Sequence, residues 1–395
     1  MSRKKGKTHR TDSPVLRNRN LYIIFCITLT AIMGVSSITP VLPLVATVFE
    51  ISIGRAALLI TMYTLPGVLL TPLLGILSDR IGRKMVLVPS MLLFGVAGFA
   101  CAFAPNYEML LFLRLLQGVG SAAIGALNVT MIGDIFSGQQ RTEAMGYNGA
   151  VLSVGATLYP AIGGALAVLG WFAPFYLPLL ALPTAFVIIF YLENPEPEQT
   201  GKVGAYLKRV LINMKQNRML PFFLATLVSF VLLYGPLLTI IPFLIESRFT
   251  EASFMIGLVL SSASVSNALA SVNAGRLTQR FRPEALVTFS FVIYAVSLTA
   301  MPFAPNLIWL TAATVIYGFA QGLNLPVLIS LISSEAMLEN RGAIMSLNGM
   351  VIKIAQSVSP ILSSILFGIA GFAGLYALCA LLALITGLYL LIRLR

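Results

Sequence analysis

Twelve stretches of this chain are each long and apolar enough to cross a lipid bilayer, and that fixes the solvent its fold must satisfy. They run approximately over 21–48, 56–77, 85–104, 109–132, 144–169, 171–192, 219–245, 253–274, 285–304, 307–333, 343–370 and 373–392. A hydrocarbon core needs about 20 apolar residues per spanning helix. No water is available there to bond a free N–H or C=O, so a spanning segment must be a helix or part of a closed barrel. Windows this long and this uniformly apolar are not barrel strands, which alternate over about ten residues. The balance of 58 % apolar and 10 % charged residues also lies far from that of a soluble domain. The chain is therefore expected to be an all-α membrane protein. The first window is long and lacks a clear small-residue cleavage site after a short core, so it reads as a membrane helix, not a removed signal peptide.

The halves of the chain match each other. Phe103, Ala104, Pro105 and Asn106 return 200 residues later as Phe303, Ala304, Pro305 and Asn306. Gly75, Leu77 and Arg80 return as Gly275, Leu277 and Arg280, and Arg141, Met145, Asn148, Gly149 and Pro160 return as Arg341, Met345, Asn348, Gly349 and Pro360. One register serves all of them, so the twelve helices are expected as two pseudo-symmetric six-helix bundles. The one long polar connection, 193–218, carries Pro195, Pro197 and five lysines or arginines, the composition of a linker with room for a short amphipathic helix at 204–215. This gives a basic tail at 1–20, a first bundle at 21–192, the linker, and a second bundle at 219–395. Repeated bundles of this kind place a binding site near the bilayer midplane.

A net charge of +12 could suggest nucleic acid, but its placement does not. Of 26 lysines and arginines, only Arg55 and Arg248 fall outside the tail, the even-to-odd loops, the linker and the C-terminal tip, apart from Arg114 and Lys353 within helices. That asymmetry is the positive-inside pattern, and it predicts a multi-pass protein of the cell membrane with both termini cytoplasmic. Arg3, Lys4, Lys5, Lys7 and Arg10 are suited to anionic headgroups. Cys26, Cys101 and Cys379 lie inside apolar windows without metal-like spacing and read as small core residues. His9 is the single histidine, so no histidine relay, metal site or other cofactor is expected. Short loops leave no room for a soluble catalytic domain. HExxH, GxSxG and GxxxxGK[ST] are all absent, which argues against an enzyme and against ATP as the energy source.

The loop after the second window carries Gly75, Leu77, Asp79, Arg80, Gly82, Arg83 and Lys84. This resembles the cytoplasmic signature loop of the major facilitator superfamily, and the six-plus-six layout resembles that superfamily along the whole chain. Glycines at 75 and 82 permit close backbone approach and a tight turn, and Asp79 can face the positive N-terminal end of a neighbouring helix. The resemblance implies that this neighbour is the eleventh helix, beginning near Gly342, and that Arg83 pairs with Asp134. Such a cluster would latch the outward-open state; the alternative is a loop that only fixes topology. In the second half the acid is replaced by Gln279, so the latch is expected on one side only.

Arg114, Gln117, Gly118, Gly120 and Ser121 resemble the superfamily's second motif, found in proton-linked members. With Gly125 and Asn128, the polar residues recur every three or four positions, one face of a helix, and the guanidinium is expected to point into the bundle. It can act in cavity electrostatics and coupling, or simply bond carbonyls where helices cross. In the fifth window, Gly155, Pro160, Gly163 and Gly164 resemble the motif of drug/proton antiporters, with Tyr159 where a glycine usually precedes the proline. Pro160 kinks the helix and the glycine pair permits tight packing; the resemblance implies efflux, the alternative being a packing kink alone. Pro40 and Pro43 resemble the same exporters more weakly.

Comparing the halves singles out Lys353, which stands opposite Ser153. Gly349, Lys353, Gln356 and Pro360 share a helix face, and no aspartate or glutamate lies deep in any window. A cavity with Arg114 and Lys353 but no carboxylate should favour an anionic or acceptor-rich substrate. A low-dielectric surrounding disfavours an ammonium ion, so Lys353 is also a candidate to release and rebind a coupling proton; a lysine that snorkels or bonds carbonyls is the alternative. Asn148, Asn348, Gln321, Asn324 and Tyr234 complete the expected pathway, with serines of the eighth window. The sequence thus predicts a monomeric secondary transporter, exporting a drug or acidic metabolite against proton entry by alternating access. Its rivals are an uptake symporter on the same fold, told apart by transport direction, and a non-transporting sensor or assembly component, which would tolerate loss of Asp79 and Arg83.

Overall fold

A computed structural model of the chain describes residues 14–193, 219–249, 252–335 and 341–393. The expected linker helix at 204–215 and most of the basic tail lie outside them. Eleven spanning helices appear in order among the described residues: α1 (Arg19–Val48), α2 (Ile53–Ile81), α3 (Arg83–Phe103), α4 (Tyr107–Ile135), α5 (Gly138–Leu169), α6 (Ala173–Tyr191), α7 (Leu220–Phe249), α8 (Ser253–Leu277), α9 (Pro283–Phe303), α10 (Leu307–Glu335) and a last run, Ile344–Arg393. That run is continuous by hydrogen bonding but breaks at Gly371, whose φ of 65° and ψ of −171° are not helical. It therefore supplies two helices, α11 (341–370) and α12 (372–393), and the expected twelve are present.

Local sequence explains the irregularities. In α1 the helix runs to Ser36, tightens into a 3-10 turn at Thr39–Val41 and resumes at Leu42–Val48; Pro40 and Pro43 lack the N–H groups that a straight helix would need. Within α7, Leu233–Ile240 forms a π-helical segment around Pro236, a widening of the turn that the sequence did not announce and that often marks a functional bend. The Tyr376 hydroxyl of α12 donates to the Pro236 carbonyl at 2.9 Å. Helices such as α2 and α5 outrun their apolar windows, because their polar ends continue beyond the hydrocarbon.

The repeat is visible in detail. Cys101–Phe103 and Met301–Phe303 are matching 3-10 turns. After them the Asn106 side chain accepts from the Met109 amide at 2.9 Å and Asn306 from the Trp309 amide at 3.1 Å, each capping a helix start. Gly118 of α4 presses on the Tyr63 backbone of α2, and Gly318 of α10 on Ala263 of α8, so closely that a methyl group on either glycine would sit under 3.0 Å from a carbonyl. Positions 63 and 263, and 118 and 318, keep the register of the repeat. Each half buries its own apolar cluster.

Between the halves, α2 packs on α11 and α5 on α8, but along part of their length only. Thr61 donates to the Ser357 carbonyl at 3.0 Å and Thr64 to the Gln356 carbonyl at 3.3 Å. Gly164 sits against Ser253 and Phe254, and Gly257 against Pro160 and Ala161. All of these contacts lie from mid-helix towards the end of the molecule that carries Glu50. Towards the end that carries Asp79, Gly75, Gly146, Gly149, Gly275 and Gly349 face open space, with nothing within 4 Å of where a side chain would begin. The two bundles are closed at the Glu50 end and parted at the Asp79 end.

Candidate functional site

Lys353 stands where the closed part of the α2–α11 contact gives way to the open part. Its stem lies on Gly67 of α2, with Cδ and Cε at 3.1 and 3.4 Å from where a Cβ on that glycine would be. One turn further on, the Gln356 backbone takes the Thr64 hydrogen bond and the Gln356 side chain is buried. Lys353 keeps partial accessibility. The ion pairs among the described residues are Arg19–Glu193, Arg55–Glu108, Arg83–Asp79 and Arg83–Asp134, so none of these carboxylates serves Lys353.

Arg114 occupies a different place, in the heart of the first bundle. It is fully buried. Its Nη1 donates to the Gly34 carbonyl of α1 at 2.9 Å and to Gln117 Oε1 at 2.8 Å, and its Nε to the Leu59 carbonyl of α2 at 3.2 Å. The guanidinium lies over the Tyr63 ring at 4.5 Å, and the Tyr63 hydroxyl bonds Ser121 at 2.7 Å. Arg114 therefore clasps helices α1, α2 and α4 through carbonyls and an aromatic face. In this conformation it does not reach the space around Lys353. Further towards the Asp79 end of the same bundle, Thr28 Oγ1 meets the Ile24 carbonyl at 2.9 Å, Asn128 Oδ1 at 3.0 Å and Asn148 Oδ1. A hydroxyl has one proton, so at least one of these amides must present its nitrogen to Thr28. This ties α1 to α4 and α5.

The second bundle answers with neutral groups. Tyr294 of α9 donates to Gln321 of α10, and Asn324 bonds Ser229 of α7 at 2.5 Å and Tyr294 at 3.4 Å. Gln321 Nε2, Asn324 Oδ1, Tyr317 Oη and Asn348 Oδ1 are buried without a partner, a set of donors and acceptors well suited to ordered water. Tyr234 of α7 packs against the apolar cluster of the first half. The expected pathway residues are thus dispersed: Arg114 lies with Gln117, Asn148 with Thr28 and Asn128, Gln321 with Asn324, and Lys353 with Gln356 at the junction, while Asn348 is buried in α11 and Tyr234 packs on the first cluster. Tyr63, Gly34, Thr28, Ser229 and Tyr294 escaped the sequence reading. The comparison of halves could have marked Tyr63, which stands opposite Ala263, just as it marked Lys353.

At the Asp79 end, Arg83 is the hub. It pairs with Asp79 one turn away in sequence and with Asp134 of α4 at 2.9 Å, and it bonds Ser78 Oγ at 2.6 Å. Gly82 joins α2 to α3 at a φ of 98°, a left-handed geometry that glycine adopts without strain. Arg80 is exposed, and Gly75 faces open space. The side chains at 341–343, where α11 was expected to meet Asp79, lie outside the described residues. At the other end a recess of about 350 Å³ is lined in part by Thr47, Glu50, Phe243, Glu246 and Phe372. Of the cysteines, Cys101 and Cys379 are buried as expected, whereas Cys26 is exposed, because an apolar window does not say which face of its helix looks inward.

The glycines of α5 face two ways. Gly155 packs on Leu29 and Ile32 of α1, and Gly163 on the Ser37 backbone, both within the first bundle. Gly164 reaches across to α8, where Gly257 returns the contact onto the Pro160 carbonyl. The small residues therefore create one seam inside a bundle and one between bundles.

Known proteins are similar to this chain in sequence and in fold. The chain is 26% identical to the bacillibactin exporter of Bacillus subtilis (strain 168) over 357 residues, 87% of this chain and 88% of that protein. It is 26% identical to the class B tetracycline resistance protein of Escherichia coli over 358 residues, 89% of each. In fold it is similar to a bacterial homologue of the human lysosomal transporter Spinster, solved inward-facing and unoccupied, with a TM-score of 0.79 at 15% identity, covering 96% of each chain. The family model of the Major Facilitator Superfamily matches residues 24–256 and 246–395. The twelve-helix repeat, the Asp79–Arg83–Asp134 cluster and a match along nearly the whole length converge, and the chain belongs to the Major Facilitator Superfamily.

Proposed function

We propose that this chain is a proton-coupled exporter of a small organic molecule, either an acidic metabolite or a neutral drug, that works by alternating access at the cell membrane. The observation that carries the reading is Lys353. An ammonium group with no carboxylate partner among the described residues stands where a contact closed at one end opens towards the other. With the Asp79 end cytoplasmic, as the basic loops argue, this conformation is open to the cytoplasm. A substrate entering from there meets Lys353 before it meets the α2–α11 seam. An acidic or acceptor-rich group on that substrate would be its counter-ion. The two sequence relatives are named for export and for drug resistance, which favours the outward direction.

In the opposite conformation the α2–α11 and α5–α8 seams part at the Glu50 end, and Gly75 provides the groove along which the Asp79 end closes. Arg83, Asp79 and Asp134 are already paired within the first bundle while that end is parted, so closing it requires the second bundle to dock on this cluster. Proton entry drives the cycle, with Lys353 as the group that exchanges the proton, Arg114 holding the first bundle rigid, and no metal or cofactor required. The test is mass spectrometry of cells and medium from a null strain, the wild type and Lys353→Ala. A compound retained in null and Lys353→Ala cells and missing from their medium is the expected result. A compound that null cells leave unconsumed in the medium would instead make the chain an uptake symporter. Unaltered export by Lys353→Ala would remove the role given to the lysine.

A further inference from the structure

The repeat relates Lys353 to Ser153 and, across the same seam, Gly67 to Asn267. The two seams between the bundles are therefore chemically unlike at equivalent places. On the α5–α8 side, Ser153 donates to its own helix at Gly149, 3.0 Å away, and Asn267 accepts from Ser271 of α8 at 3.2 Å; each side chain stays on its own helix. On the α2–α11 side, the long side chain and the missing side chain meet. The lysine stem fills the volume that the glycine leaves.

We infer that Gly67 is the positioning residue for Lys353: it provides the berth on α2 that holds the lysine stem while the Glu50 end is closed. The berth is one of shape, on a stretch of α2 flanked by Pro66 and Pro72. Gly67 is buried and carries no group of its own to offer, so its contribution is space. The inference rests on the proposed role of Lys353 for its functional meaning, but its geometry can be tested without any transport assay.

The test uses the purified full-length chain in nanodiscs, with reductive dimethylation by formaldehyde and borane at fixed pH. The rate at Lys353 is read by peptide mass spectrometry as a ratio to Lys84, which bonds the Ile189 carbonyl well away from the seam. Gly67→Val occupies the berth and should displace the stem towards the open half, raising the ratio at least about threefold. Gly67→Ala asks the stem to give by only a few tenths of an ångström, folds more readily, and should raise the ratio by a smaller but measurable amount. An unchanged or lowered ratio in the folded variants would overturn the assignment. That result, combined with loss of export in Lys353→Ala, would reject Gly67 alone. A raised ratio combined with normal export in Lys353→Ala would keep the berth and reject the transport role.

Discussion

Gly257→Ala should push the molecule out of the conformation described. A methyl group there would lie 2.9 Å from the Pro160 carbonyl carbon, 3.2 Å from Ala161 Cα and nearer still to the Pro160 oxygen. Carbon atoms prefer about 3.5–4.0 Å, so α5 and α8 would have to separate. These neighbours are backbone atoms, which cannot rotate away as a side chain can. Overpacking of this kind costs about 1–3 kcal/mol. The extra helix propensity of alanine applies in both conformations and cancels, whereas the clash exists only while the Glu50 end is closed. The balance between conformations should then move about 5- to 150-fold towards the state open at that end. Spin labels at Val168 and Phe254, in a background with the three cysteines replaced, would report the α5–α8 separation by pulsed electron resonance. A longer-distance population should grow in Gly257→Ala but not in Gly275→Ala, whose methyl would meet nothing within 4 Å. Identical distance distributions in a folded Gly257→Ala protein would refute the argument.

Two further substitutions test the bundles themselves. Gly82→Ala places a Cβ at a φ of 98° and should lower the thermal stability of the protein by about 1–2 kcal/mol, read as an earlier melt in detergent. In Gly34→Ala, the new methyl would sit under 3.0 Å from the Tyr63 ring and hydroxyl, displacing it from Ser121 and Arg114 at a cost of about 1–3 kcal/mol. Adding Tyr63→Ala should then cost less than the sum of the single changes, and strict additivity in the melts would count against the clasp.

The architecture was legible because the bilayer imposes a length on every spanning helix and the repeat imposes a register on their order. Both can be read without knowing how any helix is rotated. The site depends on rotation, and there the reading was partial. The polar face of Arg114, Gln117, Ser121 and Asn128 was apparent from spacing alone, and all four are buried. The partners that meet it, Gly34, Leu59 and Tyr63, come from other helices at separations that no local pattern encodes. The widened turn at Leu233–Ile240 was hidden for a related reason: a proline in a spanning helix signals a break, but packing decides whether the turn bends or widens. Lys353 was visible as a departure from the repeat, whereas its berth at Gly67 required both helices in place.

Every ion pair among the described residues joins groups within the first half of the chain, and none bridges the two halves. The closed end is held instead by glycine against carbonyl and by two threonine hydroxyls on backbone oxygens. Dissolved ions weaken attraction between exposed charges, but they have little purchase on a seam of this kind. The closure of that end should therefore depend little on ionic strength.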